Sequence, residues 1–251
     1  MKTSNKIILS AFVIFAISLG VYNTALKAEY QTGKYKDPNR GYNTYQIDGF
    51  DEIDINAAGM MRVDIEQGPF SVKEFKRSQD SLRITKVGNR LVVDIDFGKK
   101  LEDKDANGEF HIGYNKIVIS CPKLKVLKTD NYYTVNGKRS DKMNVSTTYD
   151  TWDPNTVKLI KFKQDSLSLW QNDGMVMIRA CDLGFFSVKT NKGSILNIES
   201  DNHVNKAELK INDAGTLKIN QANIQQLSLG AADSTHISLS GSTLNHLISK
   251  K

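Results

Sequence analysis

The spacing with the sharpest chemical reading is Asp103-Lys104-Asp105-Ala106-Asn107-Gly108, which follows the pattern D-x-D-x-N-G. A calcium loop sets Asp at positions one and three, Asn at five and Gly at six, so that hard oxygen ligands gather around one cation. Asp103, Asp105 and Asn107 are therefore the candidate metal ligands. Position twelve, where a bidentate Glu completes an EF-hand loop, is Tyr114, and no helical pattern flanks the run. The EF-hand reading fails. A looser calcium site drawing on Glu102 or Glu109 stays open, against the reading of Asp, Asn and Gly as ordinary turn formers. No other cofactor is implied.

Paired carboxylates are the second candidate. Asp94 and Asp96 stand two apart in an alternating run and share the face opposite Val93 and Ile95. Two such groups serve glycoside hydrolysis when a cleft holds them about 5 to 10 Å apart. Alternating charge on a solvated strand face gives the same pattern, and nothing groups Lys or Arg with acids as a lyase requires. The expectation is a protein that is not an enzyme, with a carbohydrate-active enzyme as the alternative. His111, His203, His236 and His246 show no ligand spacing. Cys121 and Cys181 are too few for a disulfide scaffold or a zinc site. Each precedes a corner residue, Leu124 or Leu183, where a buried Cys packs as a small hydrophobe. A bridge between them would have to cross about three coils at ~4.8 Å each, too far for a disulfide. Tyr149 and Trp152, in the polar excursion from Lys138 to Asn155, are the candidate binding loop, or they fold back over an end of the core.

The elements that must position these groups are strands. From Leu167 to Leu247 the chain repeats about every twenty residues. A first apolar pair recurs as Leu167/Leu169, Phe186/Val188, Leu209/Ile211 and Leu227/Leu229. A second recurs as Val176/Ile178, Leu196/Ile198, Leu217/Ile219 and Ile237/Leu239. Leu183, Val204, Ile224 and Leu244 close the units in steps of 21, 20 and 20. A fixed short period of this kind marks a solenoid, whose repeats bury their apolar faces only by stacking. Period-two alternation extends back to Gln46, with turns at Ala58-Gly59, Gln67-Gly68-Pro69 and Gly88-Asn89. No sustained helical stripe occurs between Gln46 and Lys251, so this domain is expected to be all-β, a right-handed parallel β-helix continuous from the earlier strands.

The N-terminus is different. Lys2 and Lys6 precede the apolar run Ile7 to Tyr22, which addresses residues 1–27 to the membrane as a signal peptide or an uncleaved signal-anchor. Leu26 stands where a cleavage site before Glu29 prefers a small residue, which favours the anchor; the cytoplasmic lysines then put the bulk of the chain on the far side. Residues 28–44 carry Gly33, Pro38 and Gly41 and read as a tether, and 45–251 as the folded domain. The net charge of +6 includes Lys2, Lys6 and Lys27, leaving about +3 from Glu29 onward. That is too weak and scattered for a nucleic-acid surface. The expected partners are the membrane, through the N-terminal segment, and an envelope glycan or protein; the oligomeric state is left open.

The stretch Tyr45 to Phe97 resembles the opening of the head GIN domain family, adhesin-like proteins of the Bacteroidetes envelope. The shared features are Gly49-Phe50-Asp51 followed by Ile53, then Val63-Asp64-Ile65 ahead of Gln67-Gly68, and the hairpin Gly88-Asn89-Arg90-Leu91. Cys121-Pro122-Lys123-Leu124 is similar to the Pro-x-Leu that opens the family's stacked repeats. The chain departs from the family's Ser-Gly turns, using Asn172-Asp173-Gly174, Asn191-Lys192-Gly193, Asp213-Ala214-Gly215 and Ala231-Ala232-Asp233-Ser234 instead. These supply the same left-handed corners. The resemblance implies a right-handed parallel β-helix and a non-catalytic binding or structural role in the envelope, with an envelope-stress or signalling accessory as a further alternative.

Overall fold

The computed structural model describes residues 3–33, 36–37, 39–76, 82–97, 115–140, 155–191 and 193–241. The chain divides into two units, Met1–Tyr42 and Asn43–Lys251. The first is built on one helix, α1 (Thr3–Gln31), none of whose residues is buried. At 1.5 Å per residue it is about 44 Å long against a hydrocarbon core of about 30 Å, so it is long and apolar enough to cross a membrane. The helix runs through Ala28–Gln31, into the stretch read as a tether, because Ala, Glu and Gln favour helix.

The second unit is almost entirely β. One open sheet orders nine described strands as β1 (Tyr42–Tyr45), β4 (Ser71–Phe75), β7 (Lys116–Cys121), β3 (Arg62–Gln67), β11 (Val157–Ile160), β13 (Met175–Arg179), β15 (Ile195–Ile198), β17 (Thr216–Asn220) and β19 (His236–Ser240). A second orders eight as β18 (Asn223–Ala231), β16 (His203–Ile211), β14 (Asp182–Thr190), β12 (Lys163–Gln171), β8 (Val126–Thr129), β2 (Glu52–Ile55), β6 (Arg90–Ile95) and β5 (Leu82–Val87). From β11 onward the chain alternates between the two sheets. Both sheets are mixed: β4 pairs with β7 and β5 with β6 in antiparallel fashion, while the ladders from β11 to β19 and from β8 to β18 are parallel. The protein is mostly β with one N-terminal apolar helix.

Register shows how the repeat packs. Val63, Val157, Val176, Leu196, Leu217 and Ile237 form one column across the larger sheet. Leu127, Leu169, Val188, Leu209 and Leu229 form its counterpart in the second sheet. Burying like side chains against like, one strand spacing apart, gives each inward residue an apolar partner above and below. The expected pair Leu209/Ile211 is out of phase. Ala207 and Leu209 align with Phe186/Val188 and Leu227/Leu229, while Ile211 sits in the column of Thr190 and Ala231. The cause is local: Ile198 lies nine residues before Ala207, whereas Ile178 lies eight before Phe186 and Ile219 eight before Leu227. Ala207 is too small to stand out in an apolar pattern.

That extra residue sits in the corner Glu199–Asn202. The other corners between these strands are two residues long and open on a left-handed residue, Lys161, Ala180 or Gln221, at φ of 60, 52 and 56°. Phe162, Cys181, Asn202 and Ala222 then precede the next strand at equivalent places and are all buried. At the longer corner the Asn202 side chain completes the backbone bonding. Its Oδ1 accepts from Cys181 N–H at 3.0 Å, and its Nδ2 donates to the carbonyls of Ile178 and Glu199, both at 2.7 Å. On the opposite corner Asn172, Asn191 and Asn212 stack as an amide ladder, with Nδ2 to Oδ1 distances of 2.7 and 3.4 Å.

Neighbour order in the first half does not follow chain order. β3 lies between β7 and β11, and β2 between β6 and β8. The chain therefore adds β6 and β7 on one side of β2 and β3, then returns past them to continue on the other side. The excursion expected from Lys138 also begins with structure: β9 (Tyr133–Val135) and β10 (Lys138–Ser140) form a hairpin. Asn136 and Gly137, at φ of 50 and 76°, close it as a two-residue turn with both central residues left-handed.

Candidate binding face

The second sheet turns one set of alternate residues outward. Because Leu127, Leu169, Val188 and Leu209 point into the core, the next residues Lys128, Trp170, Lys189 and Lys210 share the outer face. Register sets them side by side on β8, β12, β14 and β16, and Gly230 on β18 ends the row. Four strands at ~4.8 Å spacing carry the row over about 14 Å. Trp170 is 57% exposed and is, with Tyr45 and Val87, one of three large exposed apolar side chains among the described residues of this unit. Lys128 Nζ lies 5.5 Å from the centroid of the Trp170 ring, within cation–π range. The neighbouring row is Ser168, Ser187, Glu208 and Ser228.

Beyond Trp170 this face forms an open groove of about 600 Å³, lined by Ser187, Lys189, Glu208, Lys210, Ser228 and Gly230 among others. Gly230 contributes no side chain to it, and a Cβ added there would meet nothing within 4 Å. Neither its packing nor a left-handed backbone calls for glycine. Charges differ along the face. At the β2–β6 end Arg90 pairs with Asp54 at 3.2 Å and with Glu52 at 3.4 Å, and Lys125 pairs with Asp51. Lys125, together with an amide from Asn89, holds the Asp51 carboxyl below the usual carboxylate range. Burial raises that of Asp54, outweighing the nearby Lys128 and Arg90. At the other end Lys206 pairs with Glu208 at 2.7 Å and lies 5.4 Å from the Phe185 ring centroid. Lys189 and Lys210 form no ion pair among the described residues and direct their charge outward, while Lys128 faces Asp54 across the β2–β8 ladder, which offsets part of its charge.

The residues singled out from the sequence fare differently. Asp103, Asp105, Asn107, Tyr149, Trp152 and His111 lie outside the described residues. Asp94 and Asp96 have separate partners: Asn56 Nδ2 donates to Asp94, and Arg83 pairs with Asp96. His203 lies between the side chains of Asn205 and Asn223, 3.1 Å from each. Among the described residues no three of His, Cys, Asp or Glu converge to hold a metal ion. Cys121 and Cys181 are free and buried, and burial pushes their thiols up to about 12 and about 11. Trp170 and its lysines were missed as a site, although alternation from Leu167 and Leu169 already turns Trp170 outward. The pairing that aligns it with Lys128, Lys189 and Lys210 is not written in any one strand.

No protein-family model and no curated protein matches the chain. Among solved structures it is similar to a proposed adhesin from Bacteroides fragilis NCTC 9343, at 13% identity over 79% of this chain and 96% of that one, with a TM-score of 0.46. A proposed adhesin from Parabacteroides distasonis ATCC 8503 is 12% identical over 80% and 94%, with a TM-score of 0.34. A proposed lipid-binding protein from the same organism is 14% identical over 79% and 96%, with a TM-score of 0.31.

Proposed function

We propose that the chain is a non-catalytic envelope module that presents the outer face of its second sheet to an elongated ligand, a glycan, an envelope polymer or a protein. The observation that carries this reading is the row Lys128, Trp170, Lys189 and Lys210, with its exposed indole and its lysines, beside an open groove. An exposed Trp is a residue type in which binding energy concentrates when a partner covers it, and the lysines beside it set the sign of charge such a partner must carry. In the same proposal the Val157–Ser240 segment winds as a right-handed parallel β-helix of the head GIN type. The in-register parallel ladders and the alternation between sheets support that winding, as do the sequence motifs. Residues 1–27 hold the domain at the periplasmic side of the inner membrane if α1 is retained, or direct it to the periplasm or cell surface if it is removed.

The test is a binding screen of the full chain in lipid nanodiscs against glycans, peptidoglycan fragments and envelope extracts, run beside Trp170→Ala. Binding that Trp170→Ala weakens supports the reading. No binding across the panel, or binding indifferent to that substitution, would overturn it.

A further inference from the structure

We infer that the ligand of this face is an acidic polysaccharide, laid across β8, β12, β14 and β16 along the lysine and tryptophan row; the inference rests on the binding role proposed above. Charge sets the sign of the partner. The row Lys128 to Gly230 and the two rows beside it, through Ser168 and Ser166, carry four lysines, Lys128, Lys189, Lys206 and Lys210, and one acid, Glu208; farther along the same strands Lys163 pairs with Asp182 and Asp165 is exposed. Lys206 is neutralised by Glu208 itself, and Lys128 is partly offset by Asp54 beside it on β2. Lys189 and Lys210 remain side by side, and Lys128 adds a third, partly offset cation about 14 Å from Lys210 along the same row, a spacing that suits an extended chain with repeated anionic groups better than a single small anion.

The uncharged groups choose among polyanions. Trp170 offers a broad exposed ring edge and face to the apolar side of a sugar ring. Ser168, Ser187 and Ser228 run parallel to the lysine row and can donate to or accept from hydroxyls. Glu208 can only accept, so beside the lysines it disfavours a bare polyphosphate and favours a ligand that brings O–H donors along with its negative charge. A lipid surface fits less well: the face is a sheet with one large exposed apolar side chain and no apolar segment to enter the acyl region. A nucleic acid would call for several stacking platforms, and this row holds one. Gly230 adds no side chain to the groove beside Lys210.

The test measures binding of the full chain, in nanodiscs of zwitterionic lipid, to polygalacturonate, alginate and hyaluronate. Methyl-esterified polygalacturonate, which keeps the backbone and loses the charge, is the comparison. The expected result is binding to at least one acidic polymer that weakens steeply as NaCl is raised. The ester should bind about tenfold more weakly. Lys189→Glu and Lys210→Glu should each lower affinity about tenfold, as loss of a charge-assisted hydrogen bond does. Trp170→Ala should lower it about threefold to tenfold, and Gly230→Leu should lower it by filling the groove. Lys218→Glu, on the exposed face of the other sheet, makes the same charge change and should leave affinity within about twofold.

Equal, salt-insensitive affinity for polygalacturonate and its ester would overturn the inference and leave the binding role standing. So would acidic-polymer binding that the two Lys189 and Lys210 reversals do not change, or a preference for phosphatidylglycerol vesicles over every polysaccharide. Binding to none of the acidic polymers also overturns it. In that case the screen above separates a wrong ligand class from a wrong binding role.

Discussion

Replacing Asn202 by Ala tests how the longer corner is held. The side chain is 2% exposed and makes three hydrogen bonds, one accepted from Cys181 N–H and two donated to the carbonyls of Ile178 and Glu199. Both carbonyls keep another donor, because Ile178 O also accepts from Glu199 N–H at 3.1 Å and Glu199 O from Asn202 N–H at 3.3 Å. The Cys181 N–H is the group that loses its partner. An orphaned buried donor costs about 1 to 3 kcal/mol, and each surrendered second bond about 0.5 to 1 kcal/mol, so the total is about 3 kcal/mol. In a domain of about 200 residues that lowers Tm by roughly 6 to 12 °C. Thermal unfolding of the full chain in detergent micelles, followed by circular dichroism, reads it directly. Asn202→Asp refines the test, because it keeps the acceptor for Cys181 but sets carboxylate oxygens against two carbonyls. Its folded pKa should lie above the unfolded value, so the native state binds more protons and the variant loses stability as pH rises through that range. A Tm within about 2 °C of the parent for Asn202→Ala, or an Asp variant whose stability rises relative to the parent over the same pH range, would refute the reasoning.

Three further outcomes follow from the same corners and faces. Ala180, at φ 52°, pays for a left-handed backbone that glycine adopts freely, so Ala180→Gly should raise stability by about 0.5 to 1 kcal/mol in denaturant unfolding, where Ala to Gly in a strand interior would lower it. Cys121 and Cys181, buried and with thiols raised to about 12 and about 11, should resist alkylation at pH 8 in the folded chain and react within the same window once denaturant unfolds it; a fast-reacting native thiol contradicts their placement. Asp54 has a raised folded pKa with burial as the main cause, so the native state holds its proton more tightly than the unfolded chain. Its contribution is most favourable below the ordinary carboxylate range and is lost as pH rises. The stability of Asp54→Asn relative to the parent should therefore improve from acid to neutral pH, as followed by urea unfolding at each pH.

Much of the fold was legible because it is locally encoded. Alternation in Val63-Asp64-Ile65 or Leu217-Lys218-Ile219 makes a strand and names its inward side, since successive side chains must point to opposite faces. Gly88-Asn89 marked a hairpin for the same kind of reason, as Asn136-Gly137 also does, though the latter was hidden by the polar residues that follow it. The phase of the third repeat was not legible. One extra residue in Glu199–Asn202 is absorbed at a corner, and apolar periodicity alone took Ile211 for the partner of Val188 where Ala207 and Leu209 carry the column.

By itself the sequence determined the apolar N-terminal helix, the strands with their inward residues, and the recurrence of about twenty residues, because each depends on neighbours in the chain. Tertiary structure alone decided that β2 and β3 lie inside β6 and β7, because parallel pairing is nonlocal and similar alternating strands carry no label of their neighbours. It also decided the face. Lys128, Trp170, Lys189 and Lys210 are separated by 42, 19 and 21 residues in the chain and become adjacent only when β8, β12, β14 and β16 pair in register. Three lysines then share one row with an exposed indole, and that arrangement exists in no single strand.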